Sequence, residues 1–425
     1  MGLSPRRFFK AFVLCLALQA GAGQTLCGAI AYQADSAHDG AVTFAAVSPV
    51  PTPLWSVDTG SSSAYPIIAG GQVFVNGGGH LHAYDALTGL TRWNTTTPGG
   101  TTYTSGDGIA YDNGRIFLVS FTPSHYSMLA YNALTGLKAW ETALPVQYSF
   151  SSPVSAGNGS AYVGGAGNSG TVYSVRQSDG LLQWSATVHN GDNSSPAVTN
   201  EGVYVNYAGP QTYKLNVANG QQVWHYSGSS SGGGGTTPVY HNGKLFISDI
   251  FSTDNPFNQL QALDASNGAP LYSTISGNAF QPISPPAFFN NTGYIDYKTE
   301  LRAFNEADGS ILWTKTFNDG STSVSAPLVI NGNIYQATSA GKLYVLDGST
   351  GATIGTVDLG ATGMLYGGGG FNFYTGMAAA DGLLAVPIGS NLVVLSLPEP
   401  TTGAMAGVIL LAFHLALGRR RARRA

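Results

Sequence analysis

Residues 83–93 read "AYDALTGLTRW", and 47 positions further on, residues 130–140 read "AYNALTGLKAW". A near-copy of this length marks a repeat, and the repeat decides the fold before any single strand is assigned. Its anchor is a glycine followed four residues later by an aromatic. The pairs are Gly89/Trp93, Gly136/Trp140, Gly180/Trp184, Gly220/Trp224, Gly268/Tyr272 and Gly309/Trp313. A seventh copy, at Gly351, has Gly355 in the aromatic place. Five of the six tryptophans occupy this one position, and the sixth, Trp55, stands ahead of the first full copy in "PLWSVD" (53–58).

The chemistry around the anchor is that of a tight turn. Four residues before each glycine stand Asp85, Asn132, Arg176, Asn216, Asp264, Asn305 and Asp347. A short Asp or Asn side chain accepts backbone N–H bonds one or two residues on, and glycine supplies a positive φ. Apolar residues alternate before the turn and lead to the aromatic after it, so each copy reads as strand, turn, strand. Upstream lies a second recurring piece, as in "SSPAVTNEGVYVNY" (194–207) and "SAPLVINGNIYQAT" (325–338). It adds two more short strands joined by an N-G or E-G turn. Successive anchors are 47, 44, 40, 48, 41 and 42 residues apart, the period of a propeller blade. An eighth set of inner strands, "MAAADGLLAVPIGSNLVVLSL" (377–397), has no outer strand after it. The expected fold is an all-β, eight-bladed β-propeller over 51–397, with four-stranded antiparallel blades. The N-terminal strand "PLWSVD" completes the last blade and puts Trp55 in the eighth aromatic place.

The two ends differ from the middle. Residues 1–22 carry Arg6, Arg7 and Lys10, the apolar "AFVLCLAL" (11–18) and the small residues Ala20-Gly21-Ala22, the order of a secretory signal. Residues 23–50 read as a linker. After cleavage at Ala22 only Cys27 remains, so no intrachain disulfide can form and burial must hold the fold. Leu26 before it departs from a lipobox. Eight of the 18 basic residues sit in the end segments 1–22 and 401–425, which hold no acid, so the middle carries 10 bases against 22 acids. Such a body repels phosphate backbones, and nucleic acid is not an expected partner.

The motif residues also carry a resemblance. "AYDALTGLTRW", "LYVLDGSTG" and "QALDASNG" resemble the blade signature of the pyrroloquinoline-quinone (PQQ) repeat propellers, over about 51–397. That family includes quinone-dependent alcohol and sugar dehydrogenases, and non-enzymatic scaffolds such as the BamB-like propeller lipoprotein of the outer-membrane β-barrel assembly machinery. The dehydrogenases carry an adjacent cysteine pair, a calcium or lanthanide held by Glu, Asn and Asp, and a catalytic Asp. None of these carries over by position. What does carry over is turn and packing: Asp85, Gly89, Asn132, Gly136, Gly180, Gly220, Asp264, Gly268, Gly309, Asp347 and Gly351 for the turns, and Trp55, Trp93, Trp140, Trp184, Trp224, Tyr272 and Trp313 between blades.

The C-terminus, "LPEPTTGAMAGVILLAFHLALGRRRARRA" (397–425), is similar to the PEP-CTERM sorting signal. Pro398-Glu399-Pro400 precedes an apolar run, 403–418, and an arginine cluster. Sixteen residues of helix span ~24 Å, enough for a transient membrane segment, and the arginines hold their end in the cytoplasm. The resemblance implies an exosortase-type processing protease as partner and an inner-membrane anchor before processing. It also implies delivery to the cell surface or extracellular matrix, where extracellular polysaccharide or surface proteins would be the ligands.

Chemistry-bearing constellations are sparse. His80 and His82 alternate on one strand and share a face, the start of a metal site without a third ligand. "FNDGSTS" (317–323) and "HNGDNSS" (189–195) lack the alternating acids of a full calcium loop and read as inter-blade turns, with Ca2+ left open. "MLYGGGGFNFYTG" (364–376) reads as a face loop over the channel mouth. No nucleophile elbow, HExxH or phosphate loop occurs. The expectation is an exported, non-catalytic scaffold or binding module without PQQ and with no catalytic, cofactor-binding or metal residue. The alternatives are a BamB-like assembly scaffold, and a PQQ-dependent dehydrogenase or polysaccharide-acting enzyme.

Overall fold

In the computed structural model each repeat is an antiparallel sheet of four strands, and eight such sheets form the ring. The structure describes residues 28–398 except 46, 62–64, 99–107, 123, 146–149, 151, 167–169, 190–193, 208–210, 229–234, 249–258, 275–283, 298–299, 320–324 and 364–375. Blades 1 to 7 span 67–96, 110–143, 155–188, 197–227, 239–274, 287–316 and 328–358. Blade 1 shows the plan: inner strand A (Ile67–Ala69), then B (Gln72–Gly77), C (His80–Asp85) and outer strand D (Thr91–Thr96). Strand B is buried along its whole length because a neighbouring blade covers each face, whereas strand D alternates between exposed and half-buried residues at the rim.

Blade 8 joins the two ends of the chain. Its inner strands are Ala378–Ala380, Leu383–Ile388 and Asn391–Ser396, and its outer strand is Thr52–Asp58, with Trp55 opposite Val394. Trp55 and Val57 pack beside Val73 and Tyr84 of blade 1 and Leu383 and Val394 of blade 8. The N-terminal strand thus covers the edge that the last sheet would otherwise expose.

The anchor turns work across the joints between blades. Asp85 Oδ1 accepts the amides of Leu87 (3.1 Å) and Thr88 (2.9 Å) and the Thr88 hydroxyl (2.8 Å). Asn132 and Asp347 make the same three contacts with their own turns. Blade 3 departs: Arg176 pairs with Asp179, which accepts the Leu181 amide at 3.1 Å. Gly89 lies at φ +70°, as do Gly136 and Gly220. A second constraint acts on the same glycines. A Cβ on Gly220 would lie 2.4 Å from the Trp184 ring, and one on Gly136 2.6 Å from the Trp93 ring. Each aromatic therefore lies on the anchor glycine of the next blade, and its N–H donates to that turn. Trp55 reaches Ala86 O (2.9 Å), Trp93 Ala133 O (3.0 Å), Trp140 Gln177 O (2.8 Å) and Trp184 Val217 O (2.9 Å). Trp224 reaches Ala265 O (3.2 Å) and Trp313 Gly348 O (3.1 Å), while the Tyr272 hydroxyl donates to Glu306 O (2.5 Å). At Gly355, where the aromatic is missing, Val50 fills the place; a Cβ there would be 2.7 Å from Val50 Cγ2.

Residues 23–50 differ from the linker expected of them: from Gly28 onward they belong to the fold. The inner strand of every blade has one edge turned to the ring axis, with amides that need acceptors. The segment 28–44 supplies them. Carbonyls of Ala29, Ile30, Ser36 and Ala37 accept the amides of Ile68 (3.1 Å), Tyr111 (2.7 Å), Val198 (2.6 Å) and Tyr240 (2.9 Å). Asp39, Gly40 and Val42 do the same for Phe288 (2.8 Å), Val329 (2.8 Å) and Asn331 (3.2 Å). One continuous stretch so meets blades 1, 2, 4, 5, 6 and 7 in order, and Ala41–Val42 adds a parallel fifth strand to blade 7. Tyr32, Ala34 and His38 are fully buried along it.

Candidate functional site: an acidic cavity at the ring axis

Among the described residues the axial segment borders a cavity of about 660 Å³. It lies among the turns between strands A and B, where Asn158, Asn242 and Asn290 take left-handed φ values of 54°, 48° and 54°. Those turns share a face of the ring with the turns between strands C and D: the amide of Ala86 donates to Gly71 O at 3.0 Å. Asp35 and Asp39 from the axial segment, Asp112 from blade 2 and His241 from blade 5 line the wall.

His241 is its best-connected group. Nδ1 lies 3.6 Å from Asp39 Oδ2, and Nε2 lies 3.8 Å from Glu306 Oε2 and 3.3 Å from Asn290 O. The ring lies flat on Phe288, with centroids 4.7 Å apart and planes at 11°. Buried Glu306 accepts from Asn242 Nδ2 (3.0 Å) and Lys244 Nζ (3.2 Å). Burial pulls the His241 pKa down, but Asp39, by hydrogen bond and charge, and Glu306 raise it more, and the net direction is up. The two carboxylates thus favour its protonated form, and with both ring nitrogens engaged His241 is placed as a link rather than as a free base. Burial, then the charge of Asp39, push Asp35 up to about 8, against the amides of Ala37 and His38 that its carboxylate accepts. The Ser36 hydroxyl in the same wall donates to Val198 O at 3.2 Å and is no activated nucleophile.

His38, beneath the cavity, is a strut. Nδ1 lies 2.8 Å from Tyr32 O, and Nε2 lies 3.0 Å from Pro196 O and 3.3 Å from Ser155 Oγ. Burial holds its pKa down. Both partners are carbonyls, so a neutral ring, with one N–H, donates to Tyr32 O or to Pro196 O but not to both.

The cavity does not fit PQQ. That group brings three carboxylates, and the wall meets it with Asp39, Asp112 and one imidazole, with no lysine or arginine among the lining residues.

The residues singled out from sequence lie elsewhere. The turn glycines and aromatics occupy the joints between blades. His80 and His82 have ring centroids 5.9 Å apart; His80 contacts Asn94 Oδ1 at 3.1 Å, and His82 stacks on Tyr84. Burial, with the charge of His80, lowers the His82 pKa. Among the described residues no group of three His, Cys, Asp or Glu side chains could hold a metal. The segments 189–195 and 317–323 fall between one blade's outer strand and the next blade's inner strand, partly outside the described residues. Residues 364–375 and Glu399, Pro400 and the apolar run 403–418 lie outside them too. Among the described residues no helix is long and apolar enough to cross a membrane. Pro398 is exposed, and its carbonyl accepts the Ser48 amide at 2.7 Å. Sequence reasoning missed Asp35, Asp39, His241 and Glu306. The one signal was His241, a histidine directly before the Asn-Gly of an otherwise regular turn.

A family described as outer membrane protein assembly factor BamB, of PQQ-type repeats, matches residues 39–154, 142–234 and 227–364. No curated protein matches the sequence. Among solved structures, BamB from Moraxella catarrhalis is 16% identical, with a TM-score of 0.61 over 82% of this chain and 100% of that one. A europium-containing methanol dehydrogenase is 12% identical, with a TM-score of 0.65 over 87% and 98%. The quinohemoprotein alcohol dehydrogenase of Comamonas testosteroni is 11% identical, with a TM-score of 0.63 over 89% and 81%. At these identities the likeness is one of fold, shared by an assembly factor and by enzymes.

Proposed function

The chain belongs to the BamB family of PQQ-type repeat propellers, and from that premise we propose that it is an exported, non-catalytic scaffold or binding module. The observation that carries this reading is the filled axis. Residues 28–44 occupy the centre of the ring, and the cavity they leave has an acidic wall whose histidine is bound between carboxylates. Such a wall suits a cationic or hydrogen-bonding group of a partner better than an anionic cofactor. The test is addition of PQQ and Ca2+ to the purified protein. No new absorbance band and no alcohol-dependent dye reduction are expected; either signal overturns the non-catalytic reading.

The C-terminal order of Pro398-Glu399-Pro400, apolar run and arginine cluster supports delivery to the cell surface through an exosortase-type protease. In cells that make such a protease, the mature protein should end near Pro400 and leave the membrane fraction. A full-length chain retained in the inner membrane removes this route. The family match over 39–364 favours one second reading, a scaffold in outer-membrane protein assembly. Cross-linking to β-barrel assembly partners would establish it in place of surface delivery.

A further inference from the structure

The pair His80 and His82 is not part of the repeat. In blades 2–7 the positions nine and seven before the anchor glycine hold no histidine. The blade plan therefore does not require the pair, which stands once, on strand C of blade 1. Its side chains face the joint that closes the ring. The rings of His80, His82 and Tyr84 follow one another at 5.9 Å, and Tyr84 meets Trp55 of blade 8 at 6.0 Å.

The two imidazoles are held differently. His80 is half-buried, and its Nδ1 lies 3.1 Å from Asn94 Oδ1. An amide oxygen can only accept, so in the neutral ring Nδ1 carries the proton and Nε2 keeps its lone pair. His82 is 9% exposed, and its Nε2 is buried with no hydrogen-bond partner among the described residues. Folded proteins rarely leave such an atom unpaired. A second orphan shares the joint. Ser61 Oγ is buried without a partner, and a Cβ on Gly78, two residues before His80, would lie 2.9 Å from it. Ser61 belongs to the segment that leads from blade 8 into blade 1.

The spacing fits a shared ion. Alternate residues of a strand point to one face. Two imidazoles on one tetrahedral ion, with Zn–N of ~2.0–2.1 Å, hold their centroids roughly 5 Å apart. A small turn of the half-buried His80 ring closes the observed 5.9 Å to that span. Among the described residues no acid or thiol completes a set of three, so the other positions on the ion fall to water. Two nitrogen ligands select Zn2+ or Cu2+ over Mg2+ and Ca2+, which take oxygen.

We propose that His80 and His82 form a two-imidazole site for a divalent transition ion of the Zn2+ or Cu2+ class. The ion gives the buried His82 Nε2 the partner it lacks, and Asn94 orients the His80 ring as a positioning residue. Ser61 Oγ is the group available to a metal-bound water.

The test uses the purified, untagged full chain with Cys15 and Cys27 replaced by Ser, which removes the thiols as competing ligands. Calorimetric titration with Zn2+ should show a single site. His80→Ala and His82→Phe should each weaken it by about tenfold or more, at least the loss that a missing outer partner causes. Phenylalanine keeps a flat ring against Tyr84. His125→Gln, at an exposed histidine of blade 2, should leave the affinity unchanged. With Cu2+ in place of Zn2+, electron paramagnetic resonance should show two coordinated nitrogens in the parent and one in either variant. If His82→Phe loses the parent's circular dichroism spectrum, His80→Ala carries the test alone. No binding by the parent, or the parent's affinity in either folded variant, overturns the site.

Discussion

The outer joints and the axial segment hold the same ring by opposite means. At each joint side chains do the work. An aromatic lies on a glycine one blade away, its N–H meets a turn carbonyl, and the pattern recurs from Trp55 to Trp313. Along the axis the backbone does it. Carbonyls from Ala29 to Val42 accept the inner-strand amides, and no two contacts reuse a residue pattern. The difference shows that a fold can carry a periodic code at its rim and a single-copy solution at its centre.

The largest effect that separates the two regions comes from removing residues 52–58. That deletion strips blade 8 of its outer strand and Gly89 of Trp55, so the ring should lose its single cooperative thermal transition by circular dichroism. An unchanged melting temperature would show that the joints do not need closure.

A smaller effect dissects one joint. Trp184→Ala should cost ~3–5 kcal/mol in urea denaturation, as for a large buried ring lost from a packed site. Gly220→Ala meets both a left-handed φ and the Trp184 ring, whereas Gly114→Ala meets only the φ, with open space around it. The φ alone is worth ~1–2 kcal/mol, and overpacking adds ~1–3 kcal/mol. Equal losses for the two glycines would mean that the ring contact contributes nothing.

The smallest effects are in pH, and their signs are opposite. At the rim Asp85 is held down to about 2 by the Thr88 hydroxyl, then Arg92 and the Thr88 amide, and Asp264, Asp308 and Asp347 are lowered by their own turns. Their contribution is present above the unfolded carboxyl value of ~3.9 and is lost as pH falls through the folded values. Asp35 is raised, so its contribution is full below ~3.9 and is lost as pH rises through about 8. Hydrogen exchange, corrected for intrinsic rates, should therefore show peptides covering 83–93 loosening in acid and those covering 28–44 loosening as pH rises from ~4 to about 8. Asp35→Asn should abolish the loosening of 28–44 over that range; a variant that follows the parent would remove Asp35 as its cause.

How much was legible follows from the same contrast. Blade count, closure and turn glycines could be read because side-chain identity specifies them and they recur. The axial path could not. Its bonds are made by carbonyls that every residue possesses, and it bends through positive φ at Gln33, Ala34 and His38, which no composition announces. The cavity was hidden for the same reason: Asp39 meets His241 only because the axial segment takes that path. Gly355 was a visible gap in the repeat, but nothing in the sequence pointed to Val50 as its filler.

The order of the axial contacts has a consequence for assembly. Ala29 meets Ile68, Ile30 meets Tyr111, and so on to Gly40 and Val329, so position along the segment increases with position along the chain. A chain that crosses a membrane from its N-terminus presents this segment before any blade. Each new inner strand then finds its acceptor already in place, and the entropy of closing the ring is divided into steps rather than met at once. Pulse-labelled exchange should find blade 1 protected ahead of blade 7; the reverse order would exclude the axial segment as the template on which the ring is wound.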